Sequence, residues 1–186
     1  GCCRSRCSVR NSTGPGCASY VKIKIGAKKN GEITAAQAYL AYEGGAWPGS
    51  PVVGSAALVF GRYRIANQLV DAYDVVVNKP KTNAYRAPGA TQCHFAAEAV
   101  VDEVAEQIGM DPLDMRLVNV VREGDRNVQG VPFTRIGSAA VLEAMKAHPH
   151  YTAPLGGPNR GRGVALAFWR NGGSPSCAQI AVNPDG

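Results

Sequence analysis

The sequence lacks long apolar runs, acidic residues in its first sixth, and an even spread of cysteine. No apolar stretch approaches the roughly 18–20 residues of a membrane-spanning helix, so a transmembrane reading is excluded. Aromatic residues make up 7% and charged residues 18% of the 186-residue chain. No glycine repeat of collagen type and no heptad pattern is present. Arginines near the N-terminus are not followed by an apolar stretch, so no secretory signal is read there. The cytoplasm is therefore the expected compartment. The 45% of hydrophobic residues is enough for a packed core and argues against wholesale disorder.

The net charge of +6 is local. Residues 1–31 contain Arg4, Arg6, Arg10, Lys22, Lys24, Lys28 and Lys29 and no acid, whereas the remainder is close to neutral. A solvated basic strand explains this better than a nucleic-acid surface. Cysteine is equally uneven: Cys2, Cys3, Cys7 and Cys17 precede the isolated Cys93 and Cys177. Cys3 and Cys7 have no second pair and no histidine at the spacing that zinc requires. Residues 1–18 show neither alternation nor helical period. They are expected to be an unstructured or foreign leader, with a single partial domain over 19–186.

Within that domain, Val21, Ile23 and Ile25 alternate with Lys22 and Lys24, which predicts a strand over Tyr20–Gly26. The Lys29-Asn30-Gly31-Glu32 stretch predicts a type I′ turn into a second strand, Ile33–Tyr42. Residues 44–51 read as a loop, Ala56–Phe60 as a short helix and Tyr73–Val77 as a strand. Thr82–Ala90 carries Pro and Gly and reads as a loop. Helices are predicted over Thr91–Gly109, from the Asp111-Pro112 cap onward, and over Ser138–Ala147. In the first of these, Glu98, Asp102, Glu103 and Glu106 fall mainly off the apolar stripe. Arg162–Trp169 and Cys177–Val182 predict a closing hairpin, and Asn183–Gly186 a turn. Hairpins at both ends with helices grouped between them give an α+β fold with a mixed, largely antiparallel sheet.

Several chemical signatures are missing. There is no phosphate-binding P-loop, no dinucleotide fingerprint and no H-E-x-x-H pair. His148 and His150 flank Pro149 and read as surface residues, and His94 as partly buried. The informative stretch is Asn83-Ala84-Tyr85-Arg86-Ala87-Pro88-Gly89-Ala90-Thr91-Gln92. It sets one arginine in a Gly/Pro loop just before a helix N-terminus, where unpaired amides favour negative charge. Arg86 either serves a small anion or oxyanion site or ties down a loop carbonyl.

The run A-Y-R-A-P-G-A-T-Q, then Glu98, then G-M-D-P-L-D-M-R-L-V-N and R-E-G-D, resembles the molybdopterin-binding large subunit of the xanthine dehydrogenase and aldehyde oxidase family of molybdenum hydroxylases. Gly130-Val131-Pro132-Phe133 and the helix around Met145 also fit. The resemblance spans about Ser19 to Gly186, and the first 18 residues stand outside it. It implies an oxidoreductase that hydroxylates an aldehyde or heterocyclic carbon with water-derived oxygen. The cofactor is molybdopterin, plain or as the cytosine dinucleotide. Iron–sulfur clusters and FAD sit on partner domains or subunits.

Under the resemblance Arg86 is the substrate-pocket arginine. Ala84, Tyr85 and Ala87 line the same loop near the cofactor, and Arg116 holds the cofactor's phosphate end. Gln92 and Glu98 are structural. The family's glycine-rich cofactor loop, its later glutamine-containing loops and its glutamate base fall outside this stretch. The fragment is therefore expected to need the rest of the large subunit, and to be inactive alone. Its expected partners are a small-molecule substrate, the remaining subunit, the iron–sulfur and flavin partners, and a second copy through an exposed apolar face. The competing readings are a non-catalytic binding or assembly module and, further off, a basic nucleic-acid binder.

Overall fold

A computed structural model describes residues 16–169 and 175–184. Three strands, β1 (Ser19–Ala27), β2 (Ile33–Gly45) and β3 (Asn67–Val76), form one sheet in the order β1-β2-β3. Five helices follow the strands or connect them: α1 (Val52–Leu58), α2 (Ala90–Ile108), α3 (Pro112–Asn119), α4 (Ser138–Ala147) and α5 (Pro149–Thr152). No helix among the described residues is long and apolar enough to cross a membrane.

β1 and β2 pair antiparallel from Ser19↔Tyr42 to Ala27↔Ile33. Alternation decides which face is buried: Ala36, Ala38, Leu40 and Tyr42 point into the core, and Val21, Ile23 and Ile25 pack beside them. The turn differs from the type I′ form expected. Only Gly31 takes a positive φ, of 87°, while the Asn30 side chain accepts from the Glu32 amide at 3.1 Å. With the register shift at Gly26/Ala27, this is the longer turn that ends in a left-handed glycine.

β3 departs further from expectation. It begins at Asn67, six residues before the Tyr73 read from sequence, and runs parallel to β2. The connection through residues 46–66 carries α1, which gives the chain room to cross over and return in the same direction. The sheet is thus mixed. The closing hairpin is not seen among the described residues: 161–169 and 175–183 belong to no strand. Residues 170–174, between the two expected strands, lie outside the described residues, as do 185–186 of the expected turn. Of the leader expected over 1–18, residues 1–15 also lie outside. Cys17 and Ala18 already belong to the fold: Cys17 packs against the core, and the Ala18 carbonyl accepts from the Glu43 amide at 3.0 Å.

α2 lies across the buried face of the sheet, with Cys93, Ala97, Val101 and Ala105 fully buried. Small residues at these positions let the helix approach the strands closely. It ends at Gly109 in the left-handed conformation. α3 starts as its sequence dictates. The Asp111 carboxylate accepts from the Leu113 and Asp114 amides at 2.8 and 3.1 Å, and Pro112 occupies the first turn.

Gly89, the N-cap of α2, has φ 81°, and a Cβ there would lie 2.2 Å from Ser55 Oγ and 2.5 Å from the Pro51 carbonyl oxygen. Gly89→Ala is expected to cost more than the ~1–3 kcal/mol of left-handed strain alone, because the overlap is partly with backbone. Thermal unfolding followed by circular dichroism checks this; an unchanged midpoint would refute the close packing.

Candidate functional site

The 82–89 loop is fixed at both ends and open in the middle. At one end the Thr82 amide donates to the Gly44 carbonyl at 3.1 Å, and its hydroxyl to the Glu43 carbonyl at 3.1 Å. At the other the Gly89 carbonyl accepts from Ser55 Oγ at 2.8 Å and Tyr42 OH at 3.3 Å. Between these anchors Ala84, Tyr85 and Arg86 are exposed, and Ala87 is held at φ 55°, a left-handed backbone that alanine rarely adopts. Arg86 makes no hydrogen bond or ion pair with a described residue. The alternative that it ties down a loop carbonyl is therefore not realised.

Immediately after the loop, α2 opens without a side-chain cap. The Ala90 and Cys93 amides bond to the Ala87 and Gly89 carbonyls, whereas the Thr91 and Gln92 amides have no backbone partner among the described residues. An exposed guanidinium thus stands three residues before an uncapped helix N-terminus. Both present only N–H donors and positive charge, which suits an anionic or oxygen-rich group. Ala87 and Ala90 also border a groove of about 630 Å³ between α2 and residues 165–169, walled by Phe95, Phe168 and Trp169.

Arg116 stands elsewhere. Its side chain is fully buried, and its guanidinium donates to Glu98 Oε2 from Nε at 2.9 Å and to Asp102 Oδ1 and the Pro112 carbonyl from Nη1, both at 2.8 Å. The guanidinium, expected at the cofactor's phosphate end, lies buried against these partners, with Nη2 2.8 Å from Glu98 Oε2. The reason is Glu98. Residue 98 falls among the buried positions of α2 and is 5% exposed, rather than off the stripe. A buried carboxylate needs compensating charge. Glu98 Oε1 accepts from Arg62 Nε at 2.8 Å and Tyr63 OH at 2.5 Å, and Oε2 also accepts from the Leu166 amide at 2.5 Å.

Burial pushes the Glu98 carboxyl up, but Arg62 and Arg116 outweigh it and hold it below the usual carboxylate range. This clamp joins α2, α3, the segment after α1 and residue 166. The structural role expected of Glu98 stands, and the missed members are Arg62, Tyr63, Asp102 and Leu166. The one sequence signal for them was Arg62, a charge inside the apolar run L-V-F-G-R-Y-R-I. Gln92, also expected to be structural, donates from Nε2 to Cys17 Sγ at 3.5 Å.

His94 borders the groove, 7% exposed, with Nε2 3.2 Å from the Leu58 carbonyl. Burial, aided by the nearby Arg62 charge, lowers its pKa from 6.5 to about 4. The folded state therefore binds this proton less readily than the unfolded chain. Stability from His94 is complete above pH 6.5 and is lost as pH falls toward 4, by about 3 kcal/mol. Urea unfolding at pH 7 and pH 4.5 should show the loss, and His94→Gln should remove most of it; identical pH dependence in the variant would refute this. His148, by contrast, is an exposed cap whose Nδ1 accepts from the His150 amide at 3.1 Å. Among the described residues no cluster of three or more His, Cys, Asp or Glu side chains is arranged to hold a metal ion.

A family model described as "Molybdopterin cofactor-binding domain" matches residues 2–120, starting inside the segment set apart as a leader. The nicotinate dehydrogenase large molybdopterin subunit of Eubacterium barkeri is 34% identical over 127 residues, covering 66% of this chain and 30% of that protein. An aldehyde oxidoreductase of Megalodesulfovibrio gigas is 33% identical over 138 residues, covering 73% of this chain and 15% of that protein. Among solved structures, the aldehyde oxidoreductase from Desulfovibrio gigas superposes with a TM-score of 0.68 at 29% identity, covering 75% of this chain and 16% of that one. Quinoline 2-oxidoreductase from Pseudomonas putida shares the fold, with a TM-score of 0.63 at 22% identity, over 69% of this chain and 17% of that one. The chain spans less than a third of the length of these relatives.

Proposed function

The chain belongs to the molybdopterin-binding family of xanthine dehydrogenase and aldehyde oxidoreductase large subunits, and we propose that it forms one wall of the active site in a molybdenum hydroxylase. The observation that carries this reading is the 82–89 loop, which holds Arg86 exposed and unpaired beside the uncapped start of α2. The substrate class is an aldehyde or an electrophilic heterocyclic carbon. The electrons leave through iron–sulfur and FAD partners. Molybdopterin supplies the redox chemistry by which that carbon gains a water-derived oxygen.

What this chain contributes is placement and electrostatics. The donor set fits an anionic cofactor edge or a substrate oxygen gaining charge: Arg86 offers a permanent cation with a fork of N–H groups, and the Thr91 and Gln92 amides point the same polarity out of the helix end. Ala84, Tyr85 and Ala87 shape the loop around Arg86. Its clamped ends hold the loop backbone, and so the root of the Arg86 side chain, in place before substrate arrives, which limits the reorganisation that electrostatic stabilisation requires. Arg116 acts at one remove, by fixing α2 through Glu98.

The test is turnover of benzaldehyde in isotopically labelled water by a complete large subunit that contains this stretch, with its redox partners. Labelled oxygen in the benzoate, and no turnover by the 186-residue chain alone, are the expected results. Near-stoichiometric molybdenum retained by the chain alone would overturn the one-wall reading. A complete, cofactor-loaded subunit that hydroxylates none of the aldehydes and heterocycles tried would favour a non-catalytic binding or assembly module.

A further inference from the structure

β3 is a ten-residue strand paired on one side only, to β2. Its other edge carries a row of backbone N–H and C=O groups with no strand beside it among the described residues. Natural edges of this length are usually blunted by lysine, proline or a covering element. The β3 sequence N-Q-L-V-D-A-Y-D-V-V contains no lysine, arginine or proline. Of its two acids, Asp74 is engaged by the Gly49 and Ser50 amides at 2.6 and 3.1 Å. The outer face is bare as well, with Leu69 (53% exposed), Tyr73 (50%) and Val75 (38%); on the inner face Val70 packs against the core, and Val76 at the strand's end is 51% exposed.

Beside this strand lies a cavity of about 670 Å³. Gln68 and Val70 of β3 form one wall, Val53, Ala56 and Ala57 of α1 the roof, and residues 126–129 the far side. Val53 is 78% exposed, although its neighbour Val52 is buried in the core. On the opposite face, Tyr73 continues a row of rings across the sheet, 5.1 Å from Tyr39, which is 6.1 Å from Tyr20. A bare backbone edge, an apolar roof above it and an aromatic row below it define the occupant. The edge demands polypeptide in extended form, and the two faces demand alternate apolar side chains on both sides.

We propose that the β3 edge receives a fourth strand, an extended apolar segment supplied by the part of the large subunit that lies outside this chain. This rests on family membership and not on catalysis: the matched structures are several times longer than this chain, which covers 16–17% of them. The incoming strand satisfies the β3 edge, places its inner side chains under Val53, Ala56 and Ala57, and adds its outer ones to the Tyr20–Tyr39–Tyr73 row. The docking converts three strands into a four-stranded sheet whose new edge belongs to the partner segment.

Hydrogen exchange compares the 186-residue chain with a complete large subunit that contains it. Amides of Asn67–Val76 that do not pair with β2 are expected to exchange at least about tenfold more slowly in the complete subunit. Val53→Lys is expected to lower the unfolding midpoint of the complete subunit and leave that of the chain unchanged. Equal exchange in both proteins, or a harmless Val53→Lys in the complete subunit, would overturn the proposal. Covering of α1 with rapid exchange in β3 would overturn it too, since a helix or loop then fills the space. Protection of β3 that grows with concentration in the chain alone would assign the edge to a second copy instead. None of these readouts depends on molybdenum or turnover.

Discussion

Glu98→Gln is expected to destabilise the chain strongly. The substitution keeps the shape of the side chain and removes its charge. Arg62 and Arg116, both fully buried, then face each other across a neutral amide. Breaking a buried pair by removing one partner costs about 3–5 kcal/mol; here Arg62 loses its carboxylate, while Arg116 keeps Asp102. A domain of ordinary stability holds ~5–15 kcal/mol in total. For a chain of this size the midpoint should fall by roughly 6–20 °C, measured by circular dichroism at pH 7.

Acid should do the same work. The depressed Glu98 carboxyl contributes stability that is present above its unfolded value and is lost as pH falls through its folded one, below the usual carboxylate range. The triple replacement Arg62→Met, Glu98→Leu, Arg116→Met should recover only part of the loss: the apolar groups need no partner, but the Tyr63 hydroxyl and the Leu166 amide lose their acceptor. If Glu98→Gln unfolds within about 2 °C of the unchanged protein, the clamp contributes nothing and the packing around it must be reconsidered.

Arg86→Ala should do the opposite: it should leave the fold intact and abolish function. Arg86 is exposed and bonded to no described residue, so its removal belongs with surface changes worth about ±0.5 kcal/mol. In the complete, cofactor-loaded enzyme, kcat/KM should fall by about 10²–10³, the cost of removing one preorganised donor at a site of developing charge. Arg86→Lys keeps the charge and loses the fork, and should recover only part of the activity. Molybdenum content is measured in parallel. Full activity in Arg86→Ala would remove this residue from the chemistry; lost activity together with lost metal would make it a cofactor ligand instead.

These two residues mark what the sequence could and could not tell. The exposed middle of the 82–89 loop was legible because Pro88 and Gly89 interrupt every period. α2 and α4 were legible because their apolar spacing is regular, and α3 because Asp111-Pro112 is a complete start signal. The clamp was not legible. Its members are residues 62, 98, 116 and 166, too far apart for any local pattern to join them. Arg116, assigned from the resemblance to the cofactor's phosphate end, is buried against Glu98 and Asp102.

β3 was half missed for a related reason. Within Asn67–Ala72 only Val70 packs against the core, so no alternation marks the stretch as a strand. The closing hairpin was over-read: R-G-V-A-L-A-F has strand composition, but the Leu166 amide is taken by a side chain instead of a neighbouring strand.

The contact between Glu98 and the Leu166 amide also orders events during synthesis. While the chain is still emerging from the ribosome, α2 and both arginines are available long before residue 166 leaves the tunnel. Until then Glu98 Oε2 has Arg116 but not the Leu166 amide, and the groove side of α2 stays wet. Closure of this region must wait for residue 166, so a pause in synthesis shortly before it would leave an unsealed intermediate open to proteases and chaperones.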